Sequence, residues 1–249
     1  MLLPKKSQQF TAMILAAGVG KRLGDFSRDI PKPLLKVGNK TLIEYSIDFV
    51  NTISIHNVIV VGGYHFHKLQ AFVQSVDPSI LLINNSRYED QNLVSFAAGL
   101  EKVKNNTNLF VCNADYIFNH KTSEEVSCQL KGVVIFCSYD LSMDGADVMK
   151  VKVGPGGGFI RMSKNLVDYD CIYTGMFFFE SRYIPEVKRF VKDMLQRYDK
   201  REATVEDVFK EYIKSGGGIK VADVGKADWH EIDTPEELKL AREAFAENQ

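Results

Sequence analysis

The sequence predicts an α/β protein with a Rossmann-like, mostly parallel mixed sheet that is flanked by helices on both faces. Two observations indicate this fold. Short apolar runs alternate with segments of helical periodicity through the first half of the chain, and glycines at positions 18 and 20 directly follow the first apolar run. The 249 residues, of which 45% are hydrophobic, are enough to bury the core of one such domain.

In the first half, four apolar runs predict buried strands at residues 12–17, 58–61, 80–83 and 109–112. Apolar residues at helical spacing predict helices between them, at 42–53, 66–76 and 92–103. This alternation is typical of βαβ units, whose right-handed crossovers place helices on both faces of a parallel sheet. Such sheets bind ligands beyond the carboxyl ends of their strands. The loop after Ala17 and the segment around Asp115 both lie at such ends, so we expect one site between them.

The second half has a different pattern, with strands predicted at residues 133–138, 148–153, 159–162 and 172–179. The glycine-rich segment 154–158 predicts a hairpin-type turn. The remaining elements are predicted as helices at 183–198 and 205–215, strands at 219–224 and 229–232, and a last helix with Pro235 in its first turn. No linker interrupts the chain, so we expect a single domain over residues 1–249.

Composition and charge exclude several classes of protein. The formal net charge of −1 argues against nucleic acid as a partner. The four cysteines form no Cys-x-x-Cys pair, so we expect no structural zinc and a reduced, cytoplasmic protein. Residues 1–10 contain no long apolar stretch, and no run is long enough to span a bilayer. We therefore expect neither a signal peptide nor stable membrane insertion.

The most informative segment is residues 15–23, LAAGVGKRL, which residues 31–34, PKPL, follow at a short distance. Small residues and glycines let backbone N–H groups approach phosphate oxygens that a β-carbon would obstruct. Arg22 can pair with a phosphate through two N–H groups, and Lys32 adds a second positive charge between two prolines. Two glycines after a strand also fit a simple tight turn. The segment lacks the third glycine of the dinucleotide fingerprint and the Gly-Lys-Ser/Thr ending of a P-loop.

Taken together, these motifs resemble the signature of the sugar-nucleotidyltransferase superfamily, L-A-A-G-x-G-x-R-L followed by P-K-P-L. The resemblance implies the nucleotide-diphospho-sugar transferase fold and a Mg²⁺-dependent nucleotidyl transfer from a nucleoside triphosphate. It also implies that the loop holds the triphosphate, that Arg22 contacts it, and that Lys32 neutralises charge at the reacting phosphate. The implied nucleotide-binding residues are Leu15, Ala16, Ala17, Gly18, Gly20, Lys21, Arg22, Asn92 and Ala114.

Two aspartates are candidate ligands of the Mg²⁺ ion. Residues 113–118, NADYIF, resemble the family motif G-D-x-x-F and imply Asp115 as a ligand. Residues 229–238, WHEIDTPEEL, resemble the closing motif of the family and imply Asp233. Carboxylates suit Mg²⁺, which also bridges phosphate oxygens. Each aspartate also fits a capping role: Asp115 after its strand, and Asp233 at the last helix, where Thr234 is an equally good cap.

The order of motifs between residues 151 and 178 resembles the inositol-1-phosphate cytidylyltransferases. Phosphocholine cytidylyltransferases share the front half, including an Asn-x-x-Ser segment at residues 92–95. The resemblance places acceptor binding in roughly residues 130–232. The implied acceptor-binding residues are Lys150, Lys164, Tyr173 and Thr174.

Several of these positions have a second interpretation. Ser163 and Tyr173 stand where the inositol-1-phosphate enzymes often have glycine and aspartate, which leaves the acceptor open. Lys164 also fits a solvated surface lysine. Asn92 and Ser95 also fit capping residues at the start of a helix.

The predicted function is transfer of CMP from CTP to a small phosphorylated alcohol, such as inositol-1-phosphate or phosphocholine, with release of pyrophosphate. The acceptor oxygen is already ionised at neutral pH, so no general base is needed, and Arg22, Lys32 and Lys164 are the predicted catalytic residues. A sugar-1-phosphate uridylyl- or thymidylyltransferase is the alternative enzyme. A non-catalytic regulatory subunit that binds nucleotide is the alternative of another class, against which the intact motifs argue. The sequence does not indicate the oligomeric state.

Overall fold

A computed structural model of the protein describes residues 9–55, 57–143, 147–197, 203–225 and 229–246. The strands in these ranges are β1 (Gln9–Ala16), β2 (Lys36–Val37), β3 (Lys40–Thr41), β4 (Asn57–Gly62), β5 (Leu81–Asn84), β6 (Thr107–Asn113), β7 (Tyr116–Phe118), β8 (Val133–Ser138), β9 (Lys150–Val153), β10 (Phe159–Ser163), β11 (Cys171–Phe179), β12 (Lys220–Asp223) and β13 (Trp229–Glu231). The α-helices are α1 (Leu42–Thr52), α2 (Phe66–Val76), α3 (Asn92–Leu100), α4 (His120–Ser127), α5 (Ile184–Arg197), α6 (Val205–Lys214) and α7 (Pro235–Ala246).

The main sheet contains nine strands of the described chain and is mixed, as predicted. Seven of them follow the order β10-β9-β11-β6-β1-β4-β5, while β8 pairs with β11 and β12. The pairs β1–β4, β1–β6, β4–β5 and β8–β12 are parallel. The long strand β11 is antiparallel to β6, β8 and β9. Strands from both halves of the chain therefore share one sheet.

Helices cover both faces of the sheet. Along β1, Met13 packs into one core cluster and Ile14 into the other, because successive side chains of a strand point to opposite faces. The first cluster takes side chains from α3, α5 and α6, and the second from α1, α2 and α4. This arrangement confirms the predicted fold class. No helix in the described ranges is long and apolar enough to cross a membrane.

The structure adds elements that the sequence did not predict, and one of them positions the candidate site. Strand β7 starts directly after Asp115 and pairs antiparallel with β13, so that Tyr116 lies opposite Glu231. The Ile232 N–H donates to the Asp115 carbonyl at 2.9 Å. This small sheet brings the two candidate metal segments together. Helix α4 and the β2–β3 hairpin were also missed, and residue 198, the predicted end of a helix, lies outside the described residues.

Candidate active site

A cavity of about 330 Å³ opens at the carboxyl ends of β1 and β6. Nine residues predicted for the nucleotide or the metal line it, together with Lys32, a predicted catalytic residue, and Pro33. The lining residues are Leu15, Ala16, Gly18, Gly20, Lys21, Arg22, Lys32, Pro33, Ala114, Asp115 and Asp233. The expectation of one site between the loop after β1 and the end of β6 therefore agrees with the structure.

Gly20 and Gly18 of the loop are suited to their positions for two different structural reasons. Gly20 has a φ of 68°, and a β-carbon there would lie 3.1 Å from Cβ of Lys32, so glycine lets the loop pack against the lysine stem. A β-carbon on Gly18 would have no protein atom within 4 Å, so its backbone is open to a ligand. The Ser27 hydroxyl donates to the Gly20 carbonyl at 2.8 Å and closes the turn that carries Lys21 and Arg22.

Lys32 is buried between the two candidate metal ligands. Its Nζ donates to Asp115 Oδ2 at 2.7 Å and to Asp233 Oδ1. Only 6% of the residue is exposed. Burial alone would lower the pKa of Lys32, but the adjacent carboxylates of Asp115 and Asp233 outweigh it and raise the pKa above its usual value. The ammonium therefore stays charged at neutral pH.

The Lys32 contacts belong to a longer series of alternating charges that begins in the cavity lining and continues to Asp147 and Lys164 outside it. The Arg22 guanidinium pairs with Asp233 through one nitrogen and with Asp147 through the other. Lys164 Nζ lies 3.4 Å from the second oxygen of Asp147. Three cations and three carboxylates thus alternate in the order Lys164, Asp147, Arg22, Asp233, Lys32 and Asp115. Each candidate phosphate-binding cation in this series has a carboxylate partner.

The carboxylates at the centre of the cavity fit a divalent cation. Oxygens of Asp115, Glu231 and Asp233 lie within 4.8 Å of one another. Asp115 Oδ1 is buried and has no hydrogen-bond partner among the described residues, which is costly unless a ligand satisfies it. An all-oxygen donor set of this kind suits Mg²⁺.

Glu231 is the functional candidate that sequence reasoning missed. It precedes Asp233 by two positions, so the strand period of two could have indicated that both carboxylates face the same way. Burial, with added repulsion from Asp115 and Asp233, raises the pKa of Glu231 to about 8.

Asp233 does not cap the last helix. The Thr234 hydroxyl accepts from the Glu237 N–H at 3.2 Å, and Leu238 N–H donates to the Thr234 carbonyl at 3.1 Å. The Glu237 carboxylate accepts in return from the Thr234 N–H at 2.8 Å. Thr234 therefore fills the capping position, and the Asp233 carboxylate faces Lys32 and Arg22.

The structure divides the predicted acceptor residues. Neither Lys164 nor Lys150 lines the cavity. Lys164 is linked to the site through Asp147, whereas Lys150 lies over the ring of Tyr169, 4.9 Å from its centroid. Tyr173 is 5% exposed and packs in the core beside Phe209. Thr174 is fully buried, and its hydroxyl donates to the Phe136 carbonyl at 2.9 Å. Both residues lie on β11, a central strand covered on both faces, and neither lines the cavity, so acceptor binding by Tyr173 and Thr174 stays a prediction.

Two predicted nucleotide-binding residues also lie outside the cavity lining. The Asn92 side chain accepts from the Val205 N–H at 2.9 Å and so joins α3 to α6. Ala17 is 5% exposed, and its carbonyl accepts from the Tyr64 N–H at 3.3 Å. Nucleotide binding by Asn92 and Ala17 stays a prediction, and in this structure Asn92 joins two helices while the Ala17 carbonyl is bonded to Tyr64.

A mixed α/β sheet, a glycine loop with two basic residues and carboxylates near the strand ends are features typical of nucleotide-binding proteins of this class. The chain belongs to the family of the MobA-like NTP transferase domain, whose sequence profile matches residues 12–197. The predicted superfamily is thereby confirmed, and the family is one of nucleotidyltransferase enzymes.

Individual relatives agree with this family. The chain is 26% identical to the CTP:phosphoglutamine cytidylyltransferase of Campylobacter jejuni, over 92% of this chain and 98% of that one. It is 24% identical to a bifunctional IPC transferase and DIPP synthase of Rubrobacter xylanophilus, over 93% of this chain but only 51% of that protein, so it spans about half of that relative. The solved inositol-1-phosphate CTP transferase from T. maritima superposes with a TM-score of 0.82 at 21% identity, covering 97% of this chain and 96% of that one.

Proposed function

We propose that this protein is a Mg²⁺-dependent cytidylyltransferase, a single domain that transfers CMP from CTP to a small phosphorylated alcohol and releases pyrophosphate. One observation carries the proposal. The ammonium of Lys32 lies between the carboxylates of Asp115 and Asp233 at the floor of the cavity that the glycine loop borders. This arrangement places a buried cation and candidate metal ligands beside the place where a triphosphate would lie.

In this proposal, the nucleotide binds on the side of the cavity that the glycine loop forms. Gly18 offers a backbone that no side chain obstructs, and Lys21 and Arg22 add two positive charges at the entrance. A nucleoside triphosphate carries about four negative charges near neutral pH, so it is attracted to such a site. The choice of CTP is supported by the Campylobacter jejuni relative, whose name specifies that nucleotide.

Asp115 and Asp233, with Glu231 beside them, are the residues that would hold Mg²⁺. Held by these carboxylates, Mg²⁺ would supply positive charge that neutralises part of the charge of the phosphates. Arg22 and Lys32 now pair with these same carboxylates. Once the carboxylates bind a cation, both basic side chains have N–H donors available for phosphate oxygens.

The proposed reaction is an in-line displacement at the α-phosphorus of CTP. An oxygen of the acceptor phosphate forms the new P–O bond, and the bond to the β-phosphate oxygen breaks to release pyrophosphate. The attacking oxygen is already ionised, so the protein does not need to remove a proton. Arg22 and Lys32 stabilise negative charge on the transferred phosphate, and Lys164 aligns the acceptor phosphate.

The acceptor is proposed to be a phosphorylated alcohol, with inositol-1-phosphate ranked before phosphocholine because of the motif order in residues 151–178. Lys164 supports this side of the proposal, because it approaches the cavity from the second half of the chain. Relatives act on different acceptors, such as the phosphoglutamine named for the Campylobacter jejuni enzyme. These acceptors have in common that each is a small molecule with a terminal phosphate.

The test is a pyrophosphate-release screen of CTP, UTP, dTTP and GTP against inositol-1-phosphate, phosphocholine, phosphoglutamine, 2-aminoethylphosphonate and hexose-1-phosphates, with Mg²⁺. The Asp115→Asn variant serves as the inactive control. Turnover with CTP and a phosphorylated alcohol supports the proposal. A higher kcat/KM with UTP or dTTP and a hexose-1-phosphate overturns the choice of substrates. Nucleotide binding without turnover on any acceptor overturns the enzymatic function.

A further inference from the structure

The segment that joins the glycine loop to Lys32 is held by side chains from another part of the chain. The carbonyl of Arg28 accepts from the hydroxyl of Tyr64 at 2.7 Å and from Nε2 of His65 at 3.0 Å. The carbonyl of Asp29 accepts from Nζ of Lys68. All three donors lie in the connection after β4 or in the first turn of α2. Three side chains therefore hold two consecutive carbonyls just before the Pro31-Lys32-Pro33 segment.

Tyr64 also contacts the other end of the loop. Its backbone N–H donates to the carbonyl of Ala17 at 3.3 Å, while its hydroxyl donates to the carbonyl of Arg28. The two ends of residues 18–27 are thus joined through a single residue. These ten positions include Lys21 and Arg22, the cations at the cavity entrance.

The backbone around Tyr64 is specialised for this contact. A β-carbon on Gly63 would lie 2.3 Å from Cβ of Tyr88 and 2.9 Å from the carbonyl oxygen of Ala17, so only glycine allows the approach. His65 adopts a left-handed conformation, with φ of 49° and ψ of 39°, that is uncommon for residues with a side chain. Its ring lies 4.1 Å from that of Tyr64. Local strain at this place is a reason to look for a function there.

We infer that Tyr64, assisted by His65, is a positioning residue that pre-organises the triphosphate loop before the nucleotide binds. The inference rests on the proposed function, because it takes the loop to be the triphosphate site. A loop that is already ordered loses less conformational freedom on binding, and the nucleotide binds more tightly as a result. Among the described residues, the hydrogen bonds from Tyr64 and His65 to this segment end on two backbone carbonyls, those of Ala17 and Arg28. We therefore place their effect on the loop that carries Lys21 and Arg22 and not on the substrate.

The positioning role of these bonds can be distinguished from a merely structural one by the thermal midpoint of variants that lack them. Leu23 anchors the loop in the core through its own fully buried side chain. The bonds to the Arg28 carbonyl lie at the surface, and Phe26 and Ile30 beside it are each 46% exposed, so these bonds themselves hold little of the core. Their loss is expected to loosen residues 18–30 without lowering the thermal midpoint by more than a few degrees.

The variants are Tyr64→Phe, His65→Asn and the double variant. Phenylalanine keeps the ring and removes the hydroxyl, and asparagine tolerates the left-handed backbone while it shortens the side chain. Tyr45→Phe is the matched control, because it also removes a tyrosine hydroxyl that donates to a backbone carbonyl, that of Val37 at 3.0 Å.

Hydrogen exchange of the ligand-free protein and calorimetric titration with CTP and Mg²⁺ give the two readouts. We expect faster exchange in residues 18–30 and a Kd for CTP about threefold to tenfold higher in the double variant, with kcat at saturating substrates within about twofold of the wild type. Tyr45→Phe should match the wild type in both. Unchanged exchange in the double variant overturns the inference. If exchange rises while the wild type binds no nucleoside triphosphate, the positioning of the loop stands and the proposed function fails.

Discussion

Asp147 forms an ion pair with Arg22 although the two residues are 125 positions apart in the chain. The other oxygen of the same carboxylate lies 3.4 Å from Lys164. Asp147 thereby contacts the cation proposed for the triphosphate and the cation proposed for the acceptor phosphate. The Asp147 carboxylate therefore competes with a substrate phosphate for either cation.

The Asp147→Asn variant is expected to bind CTP more tightly than the wild type, because Arg22 then has one competing carboxylate, that of Asp233, instead of two. The side chain of Asp147 is 65% exposed, so solvent weakens its ion pair and the gain in affinity should not exceed about fivefold. The measurement is a calorimetric titration at two salt concentrations. Asp168→Asn is the control, since it removes an equally exposed carboxylate that pairs with Lys152. Equal or weaker binding by Asp147→Asn would contradict competition for Arg22.

Lys32→Ala is expected to lower kcat far more than it weakens CTP binding, by about 10²-fold or more, because its charge stabilises the transferring phosphate. Steady-state kinetics separate the two effects. The control is Lys36→Ala, an exposed lysine on β2. A raised KM with unchanged kcat would assign Lys32 to ground-state binding alone.

Asp115→Asn and Asp233→Asn should each abolish most activity and leave the fold intact. Both remove a charged oxygen from the proposed Mg²⁺ site, and the double variant should be about as inactive as the worse single variant, because the two residues act as one unit. Pyrophosphate release across a Mg²⁺ titration and the thermal midpoint are the measurements. Full activity of Asp233→Asn at low Mg²⁺ would leave Asp115 as the sole anchor.

Tyr173→Phe is expected to leave the KM for the acceptor within about twofold of the wild type, since the side chain packs in the core. Lys164→Ala should instead raise that KM about tenfold, because it removes a charged contact to the acceptor phosphate. Initial rates at varied acceptor concentration compare the two variants. An acceptor KM that rises only in Tyr173→Phe would support the prediction from the sequence that Tyr173 binds the acceptor.

The regular elements could be predicted because their periodicity is plain in the sequence. Helix α2 and strand β8 have the predicted bounds, Phe66–Val76 and Val133–Ser138. Strand β7 was missed because three residues are too few for a periodic pattern, and α4 because its sequence, HKTSEEVS, is mostly polar. These two elements are held by pairing, packing and the Asn119 cap more than by local apolar pattern.

The candidate site could be predicted where a motif and a strand end coincide, as for Lys32, Asp115 and Asp233. The place of Asp147 in the site could not be predicted, because it depends on the ion pair with Arg22, which is distant in the chain. Nothing in the sequence around Asp147 indicates that contact. The burial of Tyr173 and Thr174 could not be predicted, because a sequence motif does not indicate how exposed its residues are. The register of β11 shifts between Tyr173 and Met176, and Gly175 has a φ of 71°, so simple alternation fails at this point.

The partners in the cavity are far apart in the chain: Lys32 and Asp233 are separated by 201 positions. During synthesis the N-terminal segments emerge first, so a growing chain displays the glycine loop and Lys32 long before it contains Asp233. Such a chain cannot hold a cation through both aspartates. Ligands that need the whole site therefore stabilise only chains whose β13–α7 segment has docked, and a cell rich in nucleotide and Mg²⁺ would favour survival of correctly finished copies over partly folded ones.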